Sequence, residues 1–157
     1  MDIYILWIVV LLALSFDFIN GFHDTANAIA TSVSTRALKP RVAILMAAAM
    51  NFLGAITFTG VAKTIGSGVA DPSLLDNGVE IVIAALISAI VWNLITWWFG
   101  IPSSSSHALI GSLTGAVIAG AGAGNVNGSG LLDILKALIL SPILAFGVGF
   151  CIMWLLK

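Results

Sequence analysis

Apolar residues fill long blocks of this chain, and charged residues rarely interrupt them. Residues 42–62, 81–101 and 137–156 contain no Asp, Glu, Lys or Arg. A helix of about 20 apolar residues, rising about 1.5 Å per residue, spans a hydrocarbon core about 30 Å thick. These blocks therefore predict membrane-spanning helices.

The complete pattern predicts an all-α membrane protein with about five transmembrane helices, of which the first is broken. Gly21 is expected to interrupt that first helix, and Pro40 to mark its end. Pro102 ends a later helix, because the residue before a proline avoids the helical region, and Pro142 is expected to kink the last one. The predicted helical segments are residues 3–22, 24–36, 42–63, 80–99, 104–121 and 131–156.

Composition agrees with this class. Apolar residues make up 60% of the chain and charged residues 8%, whereas a soluble domain has roughly 45–50% and about 25%. The mean hydropathy is +1.13. Residues 1–157 are therefore predicted to form a single transmembrane domain. The formal net charge of -1, with no basic stripe, gives no signal of nucleic-acid binding, so no nucleic-acid partner is expected.

The first apolar run, residues 3–16, is interpreted as a retained helix rather than a signal peptide. Asp2 stands where a signal peptide has positive charge, and the end of the run is polar and bulky instead of small.

Basic residues predict the orientation. Arg36, Lys39 and Arg41 form a cluster in a short loop, which is therefore expected to be cytoplasmic. The N-terminus and the acidic loop 64–80 would then lie outside. Residues 104–121 could cross the membrane or re-enter it, giving five spans or four.

A stripe of polar residues follows the first helix. Asp17, Asn20, Asp24, Asn27 and Thr31 are spaced 3, 4, 3 and 4 apart, which places all five on one helical face. A carboxylate inside a membrane costs about 2.5–3.5 kcal/mol or more, so it normally faces a cavity or a partner.

The chemistry of the stripe fits two kinds of cation. Asp and Asn oxygens are hard ligands suited to Na⁺, and a desolvated Asp can instead carry a proton. Structural alternatives stay open: Asp17 could snorkel to an interface, and His23, which points to a different face from Asp24, could be a structural histidine or a ligand.

A second polar group lies in the sequence GIPSSSSHALIGSLTG, residues 100–115. Ser103 to Ser106 follow Pro102 and are candidate N-caps for the next helix. A helix N-terminus offers unpaired N–H groups and partial positive charge, so it binds anions. With hydroxyls and no cationic side chain nearby, this site suits an anion that must later be released; the alternative is that the serines only cap the helix.

Other small and polar residues are interpreted as packing. Gly111, Gly115 and Ala119 form a ridge with four-residue spacing that would allow close helix approach. Asn51 and Asn93 are expected to make interhelical hydrogen bonds, or else to line the pathway.

The stretches NGFHDTANAIATSVSTRAL (residues 20–38) and WNLITWWFGIPSSSSHALIGSLTGA (residues 92–116) strongly resemble the inorganic phosphate transporter (PiT) family in its bacterial low-affinity form. The resemblance extends from about residue 10 to residue 156. It implies secondary transport of phosphate across the cytoplasmic membrane with H⁺ or Na⁺ and no cofactor. Similar bacterial members usually use protons and often carry phosphate as a neutral complex with a divalent metal.

Individual residues match the motifs of the family. Asp24 and Asn27 match the Asp and Asn of a G-x-N-D-x-x-N motif, in which His23 stands where many members have the first Asn. Residues 104–107 match P-x-S-T-T-H, with serines in place of threonines. Together, the stripe and the resemblance assign phosphate binding to Ser104, Ser105 and Ser106, cation binding or proton coupling to Asp24, Asn27, Asn20 and Thr31, and candidate roles to His23, His107 and Asp17.

The chain departs from the family in length. Family members contain two related, inverted copies of this unit, and this chain has one. The resemblance therefore implies half of an inverted-repeat transporter, completed by a second copy of itself or by a separate half. An odd number of crossings in each half favours five spans. The alternative is a truncated or split subunit with no transport activity alone.

An enzyme interpretation combines Ser105, His107 and Asp24 as an intramembrane hydrolase. It is disfavoured because Ser105 and His107, two residues apart on one helix, point in different directions, and because no G-x-S-x-G motif is present.

Overall fold

The computed structural model describes residues 3–57, 68–71 and 75–157. Within these ranges the chain forms five α-helices and one short 3₁₀ helix, Ala123–Asn125, and no strand. The α-helices are α1 (Ile3–Ser34), α2 (Pro40–Thr57), α3 (Gly78–Trp98), α4 (Ser105–Ala121) and α5 (Gly128–Leu155). The all-α prediction is confirmed.

The first helix is continuous, so the predicted break at Gly21 is wrong. Residues 3–22 and 24–36, predicted as two segments, belong to one helix of 32 residues. A glycine inside a helix costs only about 1 kcal/mol relative to alanine. Breaking the helix in a membrane would leave several backbone groups without water or a partner, which costs more.

The last helix also differs from the prediction. It begins at Gly128, three residues earlier than expected, and continues through Pro142 to Leu155. The side chain of Asn127 caps it, because Asn127 Oδ1 accepts a hydrogen bond from the backbone N–H of Gly130 at 3.1 Å. The predicted end of the helix at residue 63 lies outside the described residues.

Four of these helices, α1, α2, α3 and α5, are long and apolar enough to cross a membrane, and α4 is shorter, with 17 residues. Helix α4 nevertheless extends along the whole of α3 in the opposite direction. At the far end of the pair, the side chain of Asn77, just before α3, donates to the backbone oxygen of Gly120 at 2.7 Å. The end of α4 therefore lies level with the start of α3.

The interior lies where α3 packs against α4 and α1, while α2 packs against α1. Most large apolar side chains of α1, α2 and α5 are exposed on this chain, as expected of surfaces that face lipid or another protein. The core of buried apolar residues consists of Val69, Ala70, Ile81, Ala85, Ile110, Leu113, Val117 and Ile134.

A tight turn joins α3 to α4 and returns the serines to the α1–α3 pair. Gly100 adopts the left-handed conformation, with φ of 64°. The N–H of Ile101 bonds to the oxygen of Thr96 at 2.8 Å, and the N–H of Gly100 bonds to the oxygen of Trp97 at 3.1 Å. These two bonds form a Schellman motif, which satisfies the last carbonyls of α3 before Pro102 prevents the helix from continuing.

Candidate functional site

The two polar groups that were predicted from separate parts of the sequence meet at one point. Ser105 Oγ donates a hydrogen bond to Asp24 Oδ2, and Asn20 Nδ2 donates to the same oxygen at 2.9 Å. Asn20 Nδ2 also donates to Ser105 Oγ. Asn20, Asp24 and Ser105 therefore form one hydrogen-bonded group, which we name the Asp24–Ser105 junction.

Local structure explains why these side chains meet. Asn20 and Asp24 are four residues apart on α1, so they share a face. Ser105 is the first residue of α4 and only 3% exposed. The Schellman turn directs it inward, and Ser104 is the N-cap, whose Oγ accepts from the backbone N–H of His107 at 3.4 Å.

His23 extends the junction toward α3. Its buried ring lies with Nδ1 3.2 Å from Asp24 Oδ1 and Nε2 3.3 Å from Thr96 Oγ1. The expectation that His23 and Asp24 point apart is therefore wrong, since their ends touch although they are neighbours on the helix. Thr96 was missed by the sequence analysis, because a threonine in an apolar helix is usually bonded to its own helix; its hydroxyl also lies 3.1 Å from the backbone oxygens of Trp92 and Asn93.

Ser103 is a second residue that the sequence analysis missed as a site residue. Its backbone oxygen accepts from Asn27 Nδ2 at 3.4 Å, and its Oγ accepts from Trp92 Nε1 at 3.3 Å. Asn27 thereby lies beside the serine turn. The indole of Trp92, on α3, therefore also contacts the turn.

The remaining predicted residues do not join the junction in the part of the chain that the structure describes. Asp17, Thr31, Ser106 and His107 are all exposed. Asp17 and Thr31 lie on the stripe at some distance along α1, and Ser106 and His107 lie on the first turn of α4. These polar groups face outward from this chain, in helices that are otherwise strongly apolar.

The packing predictions are not confirmed within the described residues. Gly111 and Gly115 are exposed, and an added Cβ at either would meet nothing within 4 Å. Asn51 is exposed as well. Asn93 is fully buried, and neither polar atom of its side chain has a hydrogen-bond partner among the described residues, so its predicted interhelical bond is wrong.

Asp24 is the charged group of the junction. Hydroxyl and amide groups supply its hydrogen-bond donors, and no Lys or Arg lies on α3 or α4. The carboxylate of Asp24 repels an anion unless a cation or a proton neutralises it. A hydrolase arrangement does not form, because Ser105 bonds directly to Asp24 while His107 is exposed.

Comparisons with known proteins identify the family of the chain. Residues 20–157 match the model of the phosphate transporter family. The chain is 63% identical over 150 residues to a probable low-affinity inorganic phosphate transporter of Bacillus subtilis (strain 168), covering 96% of this chain and 45% of that protein. It is 49% identical to a protein of the same description from Streptomyces halstedii, covering 96% of this chain and 70% of that protein.

A solved structure described as the sodium-dependent phosphate transporter has the same fold. It superposes with a TM-score of 0.87 at 33% identity, covering 98% of this chain and 39% of that one. The chain thus spans less than half the length of the Bacillus subtilis relative. The family match, the span-length helices and the polar junction confirm the resemblance: the chain belongs to the phosphate transporter family, whose members are multi-pass membrane transporters and not enzymes.

Proposed function

We propose that the Asp24–Ser105 junction is half of the site at which inorganic phosphate and its coupling cation are bound during secondary transport across the cytoplasmic membrane. The observation that carries this proposal is the direct hydrogen bond from the Ser105 hydroxyl to the Asp24 carboxylate. It joins a donor suited to phosphate to an acceptor suited to a cation. The relatives, each described as a probable low-affinity inorganic phosphate transporter, support the choice of anion.

The proposed phosphate ligands are hydroxyl and backbone N–H groups at the start of α4. Ser104, Ser105 and Ser106 precede or begin the helix, where N–H groups are unpaired and the helix dipole is positive. Phosphate held by neutral donors in a partly dry site is bound without a permanent ion pair, so it can also be released.

Coupling follows from a single hydroxyl proton. The proton of Ser105 can point to Asp24 or to a phosphate oxygen, but not to both. A cation bound to Asp24 weakens the pull of the carboxylate on that proton and lowers its repulsion of the anion. Binding of cation and phosphate is therefore mutually favourable, as coupled transport requires.

Either coupling ion fits this arrangement in a different way. Asn20, Asn27 and Asp24 carry oxygen atoms that could bind Na⁺, and Thr31 lies further along the stripe. The structural relative is described as sodium-dependent, which makes Na⁺ a candidate coupling ion. His23, with Nδ1 3.2 Å from Asp24 Oδ1, provides a base that could share a proton with the carboxylate. The same site could accept phosphate as a neutral complex with a divalent metal, because such a complex needs less neutralisation near Asp24.

The second candidate function is a transporter subunit that is inactive by itself. The observation that favours it is the outward exposure of Asp17, Thr31, Ser106 and His107, which another polypeptide segment could cover. The Bacillus subtilis relative has more than twice the matched length, which is enough for a second half. That half, or a second copy of this chain, would complete the site.

Uptake of radiolabelled phosphate into proteoliposomes that contain only this chain tests both candidates. We expect uptake driven by an imposed H⁺ or Na⁺ gradient, and its loss in Asp24→Asn, which keeps the size of the side chain and removes its charge. Asp133→Asn is the matched control, because Asp133 is exposed and forms a salt bridge with Lys136 at 2.9 Å, away from the junction. Wild-type uptake no greater than that of protein-free liposomes, in folded protein, would reject autonomous transport and support the subunit, whereas normal uptake by Asp24→Asn would reject the role of the junction.

A further inference from the structure

Asn93 is a fully buried polar residue that the proposed site does not use. Its side chain has 0% relative exposure, and among the described residues neither the amide nitrogen nor the amide oxygen has a hydrogen-bond partner. Buried amides are almost always hydrogen-bonded, because leaving one unpaired forfeits its hydration. Asn93 therefore needs a partner other than the described protein groups.

Packing alone does not explain an asparagine at this position. The buried face of α3 is otherwise built from small or apolar side chains, including Ala85 and Ala89, which precede Asn93 at four-residue intervals. Another alanine would continue the row with no polar group to satisfy. The unpaired amide therefore makes the packing less favourable, so a role other than packing must explain it.

Asn93 is adjacent to the Asp24–Ser105 junction through a short series of contacts. It lies three residues before Thr96 on the same buried face, and its backbone oxygen lies 3.1 Å from the Thr96 hydroxyl. Thr96 contacts His23, which contacts Asp24. The unpaired amide therefore lies about one helical turn from the polar contacts of the junction.

The two amide groups select the kind of ligand. A cation would satisfy only the oxygen, and an anion only the two N–H donors. A water molecule both donates and accepts, so it can satisfy both sides of the amide.

We propose that Asn93 binds an ordered water molecule between α1, α3 and α4. Through Thr96 and His23, this water belongs to a series of polar contacts that reaches the Asp24–Ser105 junction. Asn93 is in this view a positioning residue of the transport site. The proposal rests on the proposed function for the role of the water, but not for its presence.

Asn93→Ala and Asn93→Ser separate this role from packing, because the two variants differ by one oxygen that can both donate and accept. We expect Asn93→Ala to take up phosphate at least about tenfold more slowly than Asn93→Ser, a ratio equivalent to one hydrogen bond. The melting temperature of Asn93→Ala should be no lower than that of Asn93→Ser. Asn51→Ala, which removes an exposed asparagine from α2, should leave uptake unchanged.

Equal uptake by the two Asn93 variants would overturn the proposal, and so would slow uptake by Asn93→Ala that is matched by a fall in its melting temperature. An experimental structure of the wild-type chain at about 2 Å resolution gives a readout independent of transport. We expect a water within hydrogen-bond distance of both Asn93 amide groups. A protein group in that place would overturn the water site. If the water is seen but Asp24→Asn transports normally, the proposed function fails and the water site stands.

Discussion

Ser105 is the single residue at which the proposed anion and cation sites share an atom. Its side chain is buried, and it bonds to both polar residues of α1 in the junction, Asn20 and Asp24. The adjacent Ser106 is exposed. Two neighbouring serines of one motif, indistinguishable by sequence, therefore have different environments.

We predict that Ser105→Ala lowers phosphate uptake at least about tenfold, because a hydrogen bond that involves a charged group contributes about 1.5–3 kcal/mol. Ser106→Ala, which removes the same hydroxyl from the next position, should have a smaller effect in the chain alone. Initial uptake rates in proteoliposomes at equal protein content provide the measurement. A greater loss in Ser106→Ala would place the phosphate contact outside the junction.

Sequence identified Asp24 and Ser105 because charged and hydroxyl side chains are costly in an apolar chain and therefore conspicuous. It did not identify Thr96, and it named Ser103 only as a candidate N-cap. Thr96 has ordinary bonds to its own helix, and its contact with His23 exists only because α3 packs against α1. Ser103 takes part partly through its backbone oxygen, which every residue possesses. Such contacts depend on tertiary placement, which residue type does not encode.

The turn between α3 and α4 holds the serines in place. Substitutions of Gly100, in this turn, and of Gly111, inside α4, are expected to change stability in opposite directions. Gly100 needs the left-handed conformation, with φ of 64°, whereas Gly111 is an exposed residue inside α4 with free space around it. The first glycine has a conformational role. The second only lowers the stability of a helix.

We predict that Gly100→Ala destabilises the protein by about 1–2 kcal/mol and slows phosphate uptake, because a Cβ disfavours the left-handed conformation. Gly111→Ala should raise stability by about 0.8–1 kcal/mol, the difference in helix propensity. Thermal unfolding in detergent measures both. A stability loss in Gly111→Ala would mean that α4 packs closely there against a partner.

The positions of the helices were predictable from the sequence, because the length of each apolar run determines them. The residues at which the helices begin and end were less predictable. The break at Gly21 was wrong since a conformational preference of about 1 kcal/mol does not outweigh unpaired backbone groups in a membrane. The early start of α5 depends on the cap at Asn127, a contact made by an amide within a polar loop. The polar loop contains several residues that could cap a helix, so the sequence did not show at which of them α5 begins.

The molecule as a whole should cross the membrane five times. If α3 crosses, then α4, which returns along its full length to the contact between Asn77 and Gly120, reaches the opposite side as well. The loop after α4, around Asn125, would then be outside with Asp76, while the basic loop near Thr35 is cytoplasmic.

We predict that a membrane-impermeant maleimide added outside cells labels Asn125→Cys and Asp76→Cys but not Thr35→Cys, each in a Cys151→Ser background. Labelling of all three after the membrane is opened controls for reactivity. If Asn125→Cys reacts only after opening, as Thr35→Cys should, α4 is re-entrant and the chain has four spans.

The unbroken α1 has a further consequence for where Asp24 lies. Its 32 residues extend about 48 Å, against a hydrocarbon core of about 30 Å, and helix tilts rarely exceed about 40°. Tilting alone cannot place the whole helix within the hydrocarbon core, so one end must project into the head groups. The depth of Asp24, ten residues before Ser34, then varies with bilayer thickness. Longer lipid chains would draw the carboxylate deeper and farther from cytoplasmic water, so bilayer thickness would influence how readily an ion from the cytoplasm reaches Asp24.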